Sequence, residues 1–480
     1  MLFNSIHFLV FFLVIFMIYW SIPKENGRCR NVLLLFASYY FYAQWDWRFC
    51  FLLLFSTVLD FVSGLLIANA SSKVRKKWWL WTSICVNVGF LMYFKYVNFF
   101  IDSFVDLLTT LGFQVHVNTL NIVLPIGISF YTFHGLSYVL DVYFGKFKAT
   151  GDFVNYALFV CFFPMLLAGP IERAPHLLPQ ITSTHAFNYH KVVDGMRQFL
   201  WGLFKKVIIA DNCAPLVNRI FDMPEQQSGM TLIYGAFLFT FQVYTDFSGY
   251  SDMALGTARM LGIELMKNFA TPFFAKDLAE FVGRWHISLS TWFKYYIYKP
   301  AIKANSSTAR KYFFVFLIFL ISGFWHGARW TYIFVGLIAA CFVILALLIR
   351  GSAKKIMARS ERKNFIPSIG NLVAIGLNLT AASVLSILFR NENLYKTGLY
   401  FHGIFTRLHV QWPSYFSLPL AFLIFFMLTI EWFGRYDRHI LEKIGMGWPN
   451  SLRWGFYLIL LLLMALFMPQ EQEEFIYFQF

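Results

Sequence analysis

Ile6-His7-Phe8-Leu9-Val10-Phe11-Phe12-Leu13-Val14-Ile15-Phe16-Met17-Ile18-Tyr19-Trp20 contains no Asp, Glu, Lys or Arg, and Ser451 to Met468 is almost as uniformly apolar. Neither run shows the polar–apolar alternation of a barrel strand, which changes face at every residue over about ten positions. In a hydrocarbon environment a backbone of this kind is satisfied only as a helix. The rest of the chain extends the reading. Of its 480 residues 58% are hydrophobic, 21% aromatic and only 14% charged. A soluble chain averages roughly 45–50% apolar and about 25% charged. The composition excludes disorder, collagen-like repeats and a disulfide scaffold, and the recurrence of apolar runs excludes an aqueous domain. A span needs roughly 20 mostly apolar residues, so the sequence can supply on the order of ten. The fold class is an all-α polytopic membrane protein.

The first run has no basic region ahead of it and no small-residue cleavage site after it, so it reads as a retained span and not a removed signal. Basic residues gather in short connections: Lys24, Arg28 and Arg30; Lys73, Arg75, Lys76 and Lys77; Lys294, Lys299, Lys303, Arg310 and Lys311; and Arg350 through Lys363. The positive-inside rule makes these connections cytoplasmic and places the N-terminus outside. The net charge of +15 then reports orientation and not a nucleic-acid partner, although the Lys294–Lys311 cluster also suits an anionic donor. Candidate spans cover about 6–22, 31–45, 47–69, 78–100, 120–144, 153–169, 229–247, 312–331, 332–349, 369–390, 415–433 and 452–468. Between Gly169 and Gly229, and from Ser248 to Lys311, charges, prolines and histidines interrupt the apolar pattern. These stretches read as interfacial or re-entrant helices, which persist at membrane depth only inside protein or beside a wet cavity. Trp285, Leu289 and Trp292 recur at helical spacing, opposite Arg284, Ser288, Thr291 and Tyr295, which predicts an amphipathic interfacial helix. No repeat or linker divides the chain, so 1–480 reads as one domain. The six cysteines contain no Cys-x-x-Cys pair and read as reduced core residues.

Ionisable groups inside apolar sequence are costly and therefore mark candidate sites. His326, in Gly323-Phe324-Trp325-His326-Gly327-Ala328-Arg329-Trp330, is the clearest. Burial disfavours the imidazolium, so the ring should be neutral and able to accept a proton, the state a general base requires. A core histidine joining two helices by a hydrogen bond is the competing reading. The small residues at 323 and 327 leave backbone room for a ligand or a close helix. His286 is the second candidate, in Arg284-Trp285-His286-Ile287-Ser288-Leu289-Ser290-Thr291-Trp292, with Ser290 on its face if the stretch is helical. The third polar island, Gln242-Val243-Tyr244-Thr245-Asp246-Phe247-Ser248-Gly249-Tyr250-Ser251-Asp252, closes an apolar span. Either carboxylate there could orient a histidine or cap the next helix. The sequence holds no His-Glu-x-x-His pair, Walker loop, Gly-x-Ser-x-Gly elbow, Gly-x-Gly-x-x-Gly fingerprint or His-x-x-x-x-Asp pair, so metal and hydrolase chemistry lose their usual signatures.

At these residues the sequence resembles the membrane-bound O-acyltransferase family, in its alginate O-acetyltransferase branch. The likeness runs over nearly the whole chain: Arg30-Asn31-Val32-Leu33-Leu34-Leu35 with Ser38-Tyr39-Tyr40-Phe41-Tyr42-Ala43; Leu124-Pro125-Ile126-Gly127-Ile128-Ser129-Phe130-Tyr131; Ala168-Gly169-Pro170; Asp246 through Ala254; Arg284 through Trp292; and Trp325-His326-Gly327. The resemblance implies a ring of about eleven transmembrane helices, with re-entrant and interfacial helices, around a central tunnel. It maps the family's hallmark histidine onto His326 and its companion position onto His286, both catalytic. It makes Trp325, Trp285, Asp246, Ser290 and Arg284 candidates for lining the substrate path. No metal and no resident cofactor are implied. The implied donor is a cytoplasmic thioester, acetyl-CoA. The implied acceptors are hydroxyls of an exported or cell-envelope polysaccharide, reached through a periplasmic acetyltransferase partner, and the implied location is the bacterial inner membrane. Lys294-Tyr295-Tyr296-Ile297-Tyr298-Lys299-Pro300-Ala301-Ile302-Lys303 departs from the branch's Asp-containing, Gly-rich continuation, which leaves the polymer open. Two alternatives stand beside acetyl transfer: a D-alanyl-transferring relative acting on teichoic-acid-type polymers, and a non-catalytic acyl transporter or scaffold.

Overall fold

Pro23 stops the first apolar helix. A residue before proline is pushed to extended backbone; Ile22 has φ −72° and ψ 128°, and the chain bends by 116° between Ile6–Ser21 and Lys24–Asp46. The carbonyl of Ile22 is capped by Arg30, whose Nε and Nη2 donate to it at 3.0 and 2.6 Å while Nη1 donates to His185 O at 2.6 Å. The guanidinium also lies over Tyr19 and Trp20. Arg30 is therefore a buried helix-end cap, and not only a topological charge.

The computed structural model describes residues 1–113, 120–350, 367–469 and 473–479. The basic stretch that follows Arg350 lies outside the described residues. Within them the chain is helical, with no strand. Six helices are long and apolar enough to cross a membrane: Phe49–Asn69, Lys73–Thr110, Thr308–His326, Trp330–Leu348, Ile369–Arg390 and Asn450–Phe467. The bent pair at the N-terminus makes a seventh if it counts as one span. Some of the other apolar stretches form shorter elements. Gly127, left-handed at φ 78°, starts Ile128–Tyr143 late, and Pro164 follows the end of Phe153–Cys161.

The fold departs from the sequence reading at two of the candidate stretches. The polar island does not close a span: one helix runs unbroken from Gly229 to Met260. The stretch from Arg284 to Trp292 is two short helices, Leu278–Arg284 and Ile287–Phe293, separated by His286 in left-handed backbone. The cysteines are all free, but only Cys161 and Cys213 are buried; Cys29, Cys85 and Cys341 are exposed.

By Cα proximity the chain divides into two compact units, Met1–Met196 with Ala254–Met266, and Arg197–Met253 with Lys267–Phe480. In the first unit, buried Asp60 accepts hydrogen bonds from Ser83 Oγ at 2.6 Å and Asn87 Nδ2 at 2.8 Å, and Asn87 Oδ1 accepts from Ser56 Oγ at 2.6 Å. This polar seam joins Phe49–Asn69 to Lys73–Leu91.

In the second unit, the long helix is crossed closely at Gly249 by the end of Tyr189–Phe204. A Cβ on Gly249 would lie 2.7 Å from Gly202 O, so only glycine permits the approach. Helix geometry puts Asp246 and Asp252 on either side of Gly249, each about 60° away around the axis. Lys205 and Lys206, in the π-helical segment Lys205–Ala210, reach to the two sides in turn. Lys205 Nζ meets Asp252 Oδ2 at 2.7 Å and Ser248 Oγ at 2.9 Å. Lys206 Nζ meets Asp246 Oδ1 at 2.8 Å and Asp211 Oδ1 at 2.7 Å. Both lysines are buried.

Candidate active site

The site candidates of the second unit meet where three pieces of chain end or break. Thr308–His326 ends at His326. Trp330–Leu348 returns against it through a close crossing, in which a Cβ on Gly323 would lie 3.0 Å from Gly336 Cα. The room left by Gly327 is filled by protein, because a Cβ there would meet the Tyr332 ring. His326 itself is half-buried, with its ring centroid 5.1 Å from Trp325 and 5.6 Å from Phe389.

His286 is 3% exposed. Its ring stands edge-on to Phe247 at 4.8 Å and to Trp325 at 5.8 Å. The Trp325 indole thus touches both imidazoles. Burial holds the His286 ring well below the usual histidine range, and the proximity of His326 acts in the same direction. The His286 ring, kept uncharged by burial, and the His326 ring thus lie against one indole, and imidazoles are groups that can accept or relay a proton.

His286 and Thr271 are the two non-glycine residues with positive φ among the described residues, at 44° and 46°. Such backbone costs roughly 1–3 kcal/mol and persists only where neighbours enforce it. Here the chain is clamped on both sides of the break: Ala270 N–H donates to Arg284 O at 3.0 Å, and Ile287 N–H donates to Asn268 O at 2.8 Å. Asn268 then fastens the clamp to the long helix. Its Nδ2 donates to Ser251 Oγ at 3.1 Å, and its Oδ1 accepts from Ser288 Oγ at 2.9 Å. All three residues are buried. Asn268→Ala is expected to cost about 1–3 kcal/mol, the usual loss when a buried network is deprived of its middle member. Acyl transfer should fall by more than the loss of folded protein explains, because the His286 break loosens. Thermal unfolding of the detergent-purified protein beside its specific activity checks this, and equal activity per folded molecule would count against it.

The other sequence candidates sit differently. Trp285 belongs to a neighbouring aromatic layer, stacked on Phe281 at 5.3 Å and edge-on to Phe269 at 5.2 Å. Asp246 is next to Phe247 in sequence, but its carboxylate is taken by Lys206 and by the Ile476 N–H at 2.7 Å. Arg284 pairs with Glu280 at 2.5 Å. Ser290 Oγ donates to Ile287 O at 3.1 Å, and its N–H donates to His286 O. The pieces that sequence reasoning did not single out are Asn268, Phe389 and the C-terminal Phe475, whose ring packs on Phe247 at 5.9 Å and Tyr250 at 4.8 Å. Phe389 closes an apolar run and Phe475 follows the polar run Gln470-Glu471-Gln472-Glu473-Glu474, so neither phenylalanine stands out as a site residue, and Asn268 belongs to no motif.

Residues 149–388, which include both histidines, match the membrane-bound O-acyltransferase family. A Pseudomonas aeruginosa protein named "Probable alginate O-acetylase" is 38% identical over 94% of this chain and 85% of its own length. The chain belongs to the membrane-bound O-acyltransferase family. A Pseudomonas putida protein of the same name is 34% identical over the full length of both chains. A Helicobacter pylori peptidoglycan O-acetyltransferase is 35% identical over 70% of this chain and 69% of its own. As a member of the family, this multi-pass membrane protein is an O-acyltransferase. Among the described residues no group of His, Cys, Asp and Glu is arranged to hold a metal ion.

Proposed function

We propose that this chain is the membrane O-acetyltransferase of a polysaccharide-modifying system. It takes an acetyl group from a cytoplasmic thioester, acetyl-CoA, and delivers it across the bacterial inner membrane for esterification of an exported or cell-envelope polysaccharide of the alginate kind. The observation that carries the reading is the pair His286–Trp325–His326, two imidazoles on one indole at the end of an apolar helix, in a chain whose relatives are named for O-acetylation of polymers.

In this reading His326 takes the proton from the first acceptor hydroxyl, on the polymer or on a periplasmic acetyltransferase partner. The hydroxyl oxygen bonds to the acetyl carbon, the carbon–sulfur bond breaks, and the departing thiolate recovers a proton as a thiol. A thioester is already activated, so positioning, exclusion of water and one neutral base suffice. His286 positions the donor or relays the proton. Trp325 separates and orients the two rings, and Trp285, Arg284, Ser290 and Asp246 support the walls of the path. The basic connections face the cytoplasm, and the family's ring of about eleven helices with a central tunnel brings donor and acceptor to His326 from opposite faces.

The test is ester-linked acetate on envelope and exported polysaccharides, released by mild alkali, in a deletion strain and in the same strain carrying the gene. Loss in the first and return in the second is the expected result. Unchanged acetate in the deletion strain would sink the proposal, and a loss of ester-linked D-alanine in its place would favour the aminoacyl-transferring alternative.

A further inference from the structure

Asn378 is a polar side chain that the chemistry above does not use. It lies within Ile369–Arg390, an apolar helix long enough to span, and is 5% exposed. Neither the oxygen nor the nitrogen of its carboxamide has a hydrogen-bond partner among the described residues. A buried amide with both ends open is expensive, so one in an apolar span marks a site where something else supplies the partner.

The position on the helix says what that partner resembles. Eleven residues separate Asn378 from Phe389, the residue whose ring packs on His326. At 3.6 residues per turn that is close to three whole turns, so the two share a face about 16 Å apart along the axis. Both side chains lean toward the helix N-terminus, so the Phe389 ring stays roughly 15 Å from the amide, with the His326 ring centroid 5.6 Å from that of Phe389. The adjacent face is already committed: Ser383 and Ser386 Oγ meet Thr240 Oγ1 of the long helix at 3.1 and 3.0 Å. The same helix touches Leu278–Arg284, the segment that leads into His286, and the helix beginning at Trp330. Its N-terminal end follows the basic stretch Arg350–Lys363, so Asn378 stands on the donor's side of His326.

We propose that Asn378 binds the arm of the acyl donor. Its carboxamide exchanges hydrogen bonds with an amide linkage of the arm while the thioester carbonyl stands beside His326. This rests on the thioester reading above and adds the residue that holds the arm: a pantetheine-type arm carries two amides, and Asn378 meets the one farther from sulfur. Coenzyme A and the prosthetic arm of an acyl carrier protein share that chemistry.

The experiment measures acetyl transfer by the full-length protein in proteoliposomes from three donors. These are acetyl-coenzyme A, acetyl-loaded acyl carrier protein, and S-acetyl-N-acetylcysteamine, which lacks the farther amide. Asn378→Ala should raise KM about tenfold or more for whichever arm-bearing donor the wild type uses, with kcat within about twofold, and leave kcat/KM for the truncated donor unchanged. The preferred donor of the wild type names the source of the arm. Asn378→Leu should be at least as heat-stable as the wild type, since it removes an unpaired buried amide, and should show the same KM defect. An unchanged KM in both variants, an equal loss on the truncated donor, or a lower melting temperature in both would overturn the assignment. A wild type that uses none of the three thioesters would instead refute the donor reading itself, and the assignment of Asn378 with it.

Discussion

A strain whose only copy carries His326→Gln is expected to hold wild-type amounts of the protein in its membranes and to lose the acetate esters on its polysaccharide. Glutamine has nearly the reach of histidine and keeps hydrogen-bonding atoms near the same place, so the contacts with Trp325 and Phe389 lose shape but not volume. It cannot take a proton at neutral pH. A positioned general base is worth typically 10²–10⁴ in rate, and a loss of that size reads as abolition in a growing culture. The half-buried state of His326 suits this role better than that of a core histidine, because a base must be reached by its substrate. His286 is expected to behave differently. It is sealed by Phe247, Phe269 and Trp325, so His286→Ala should reduce transfer and not necessarily abolish it. The comparison separates enzyme from transporter, since a passive conduit would tolerate His326→Ala. Wild-type acetate in the His326→Gln strain would refute the assigned chemistry.

Several spans and the two histidines were legible in the sequence for the same reason: hydropathy is a local property, and an imidazole in an apolar run is conspicuous against it; the twelve candidate stretches nevertheless exceed the six or seven helices long and apolar enough to cross among the described residues. The helix 369–390 was read to the residue, and 308–326 and 330–350 to within a few. What could not be read depends on partners far along the chain. Trp285, Leu289 and Trp292 keep helical spacing across a break that the 268–271 segment imposes from outside, through backbone hydrogen bonds that leave no mark in composition. The carboxylates of Asp246 and Asp252 looked like the end of a span because two charges are costly in lipid. The lysines that neutralise them lie about forty residues earlier, where a Lys-Lys pair reads as interfacial. Arg30 looked like a loop charge for the same reason, since its acceptors at Ile22 and His185 come together only in the fold.

Lys206→Met is expected to be the most destabilising single change in the second unit. The ammonium is buried between Asp246 and Asp211 at 2.8 and 2.7 Å and donates to Glu473 O at 3.1 Å. Burial alone would favour the neutral amine, but the two carboxylates outweigh it and hold the pKa above the ordinary lysine value. Removing the cation leaves two acidic groups in protein with no counter-charge, which costs about 3–5 kcal/mol when a buried pair loses one partner. The C-terminal segment should loosen with it, because Asp246 also accepts the Ile476 N–H and Phe475 packs on Phe247 beside His286. The penalty comes from the stranded charges and not from lost attraction, so neutralising them should recover it. Lys206→Met combined with Asp246→Asn and Asp211→Asn is expected to melt close to the wild type, because the carboxamide introduced at position 246 can still accept from the Ile476 N–H. Thermal unfolding of the three proteins in one detergent, with the monodisperse fraction on size exclusion as a second readout, tests both parts. If Lys206→Met alone unfolds with the wild type, the lysine is not the keystone of this crossing; if the triple variant is worse than the single, the carboxylates are held by more than charge.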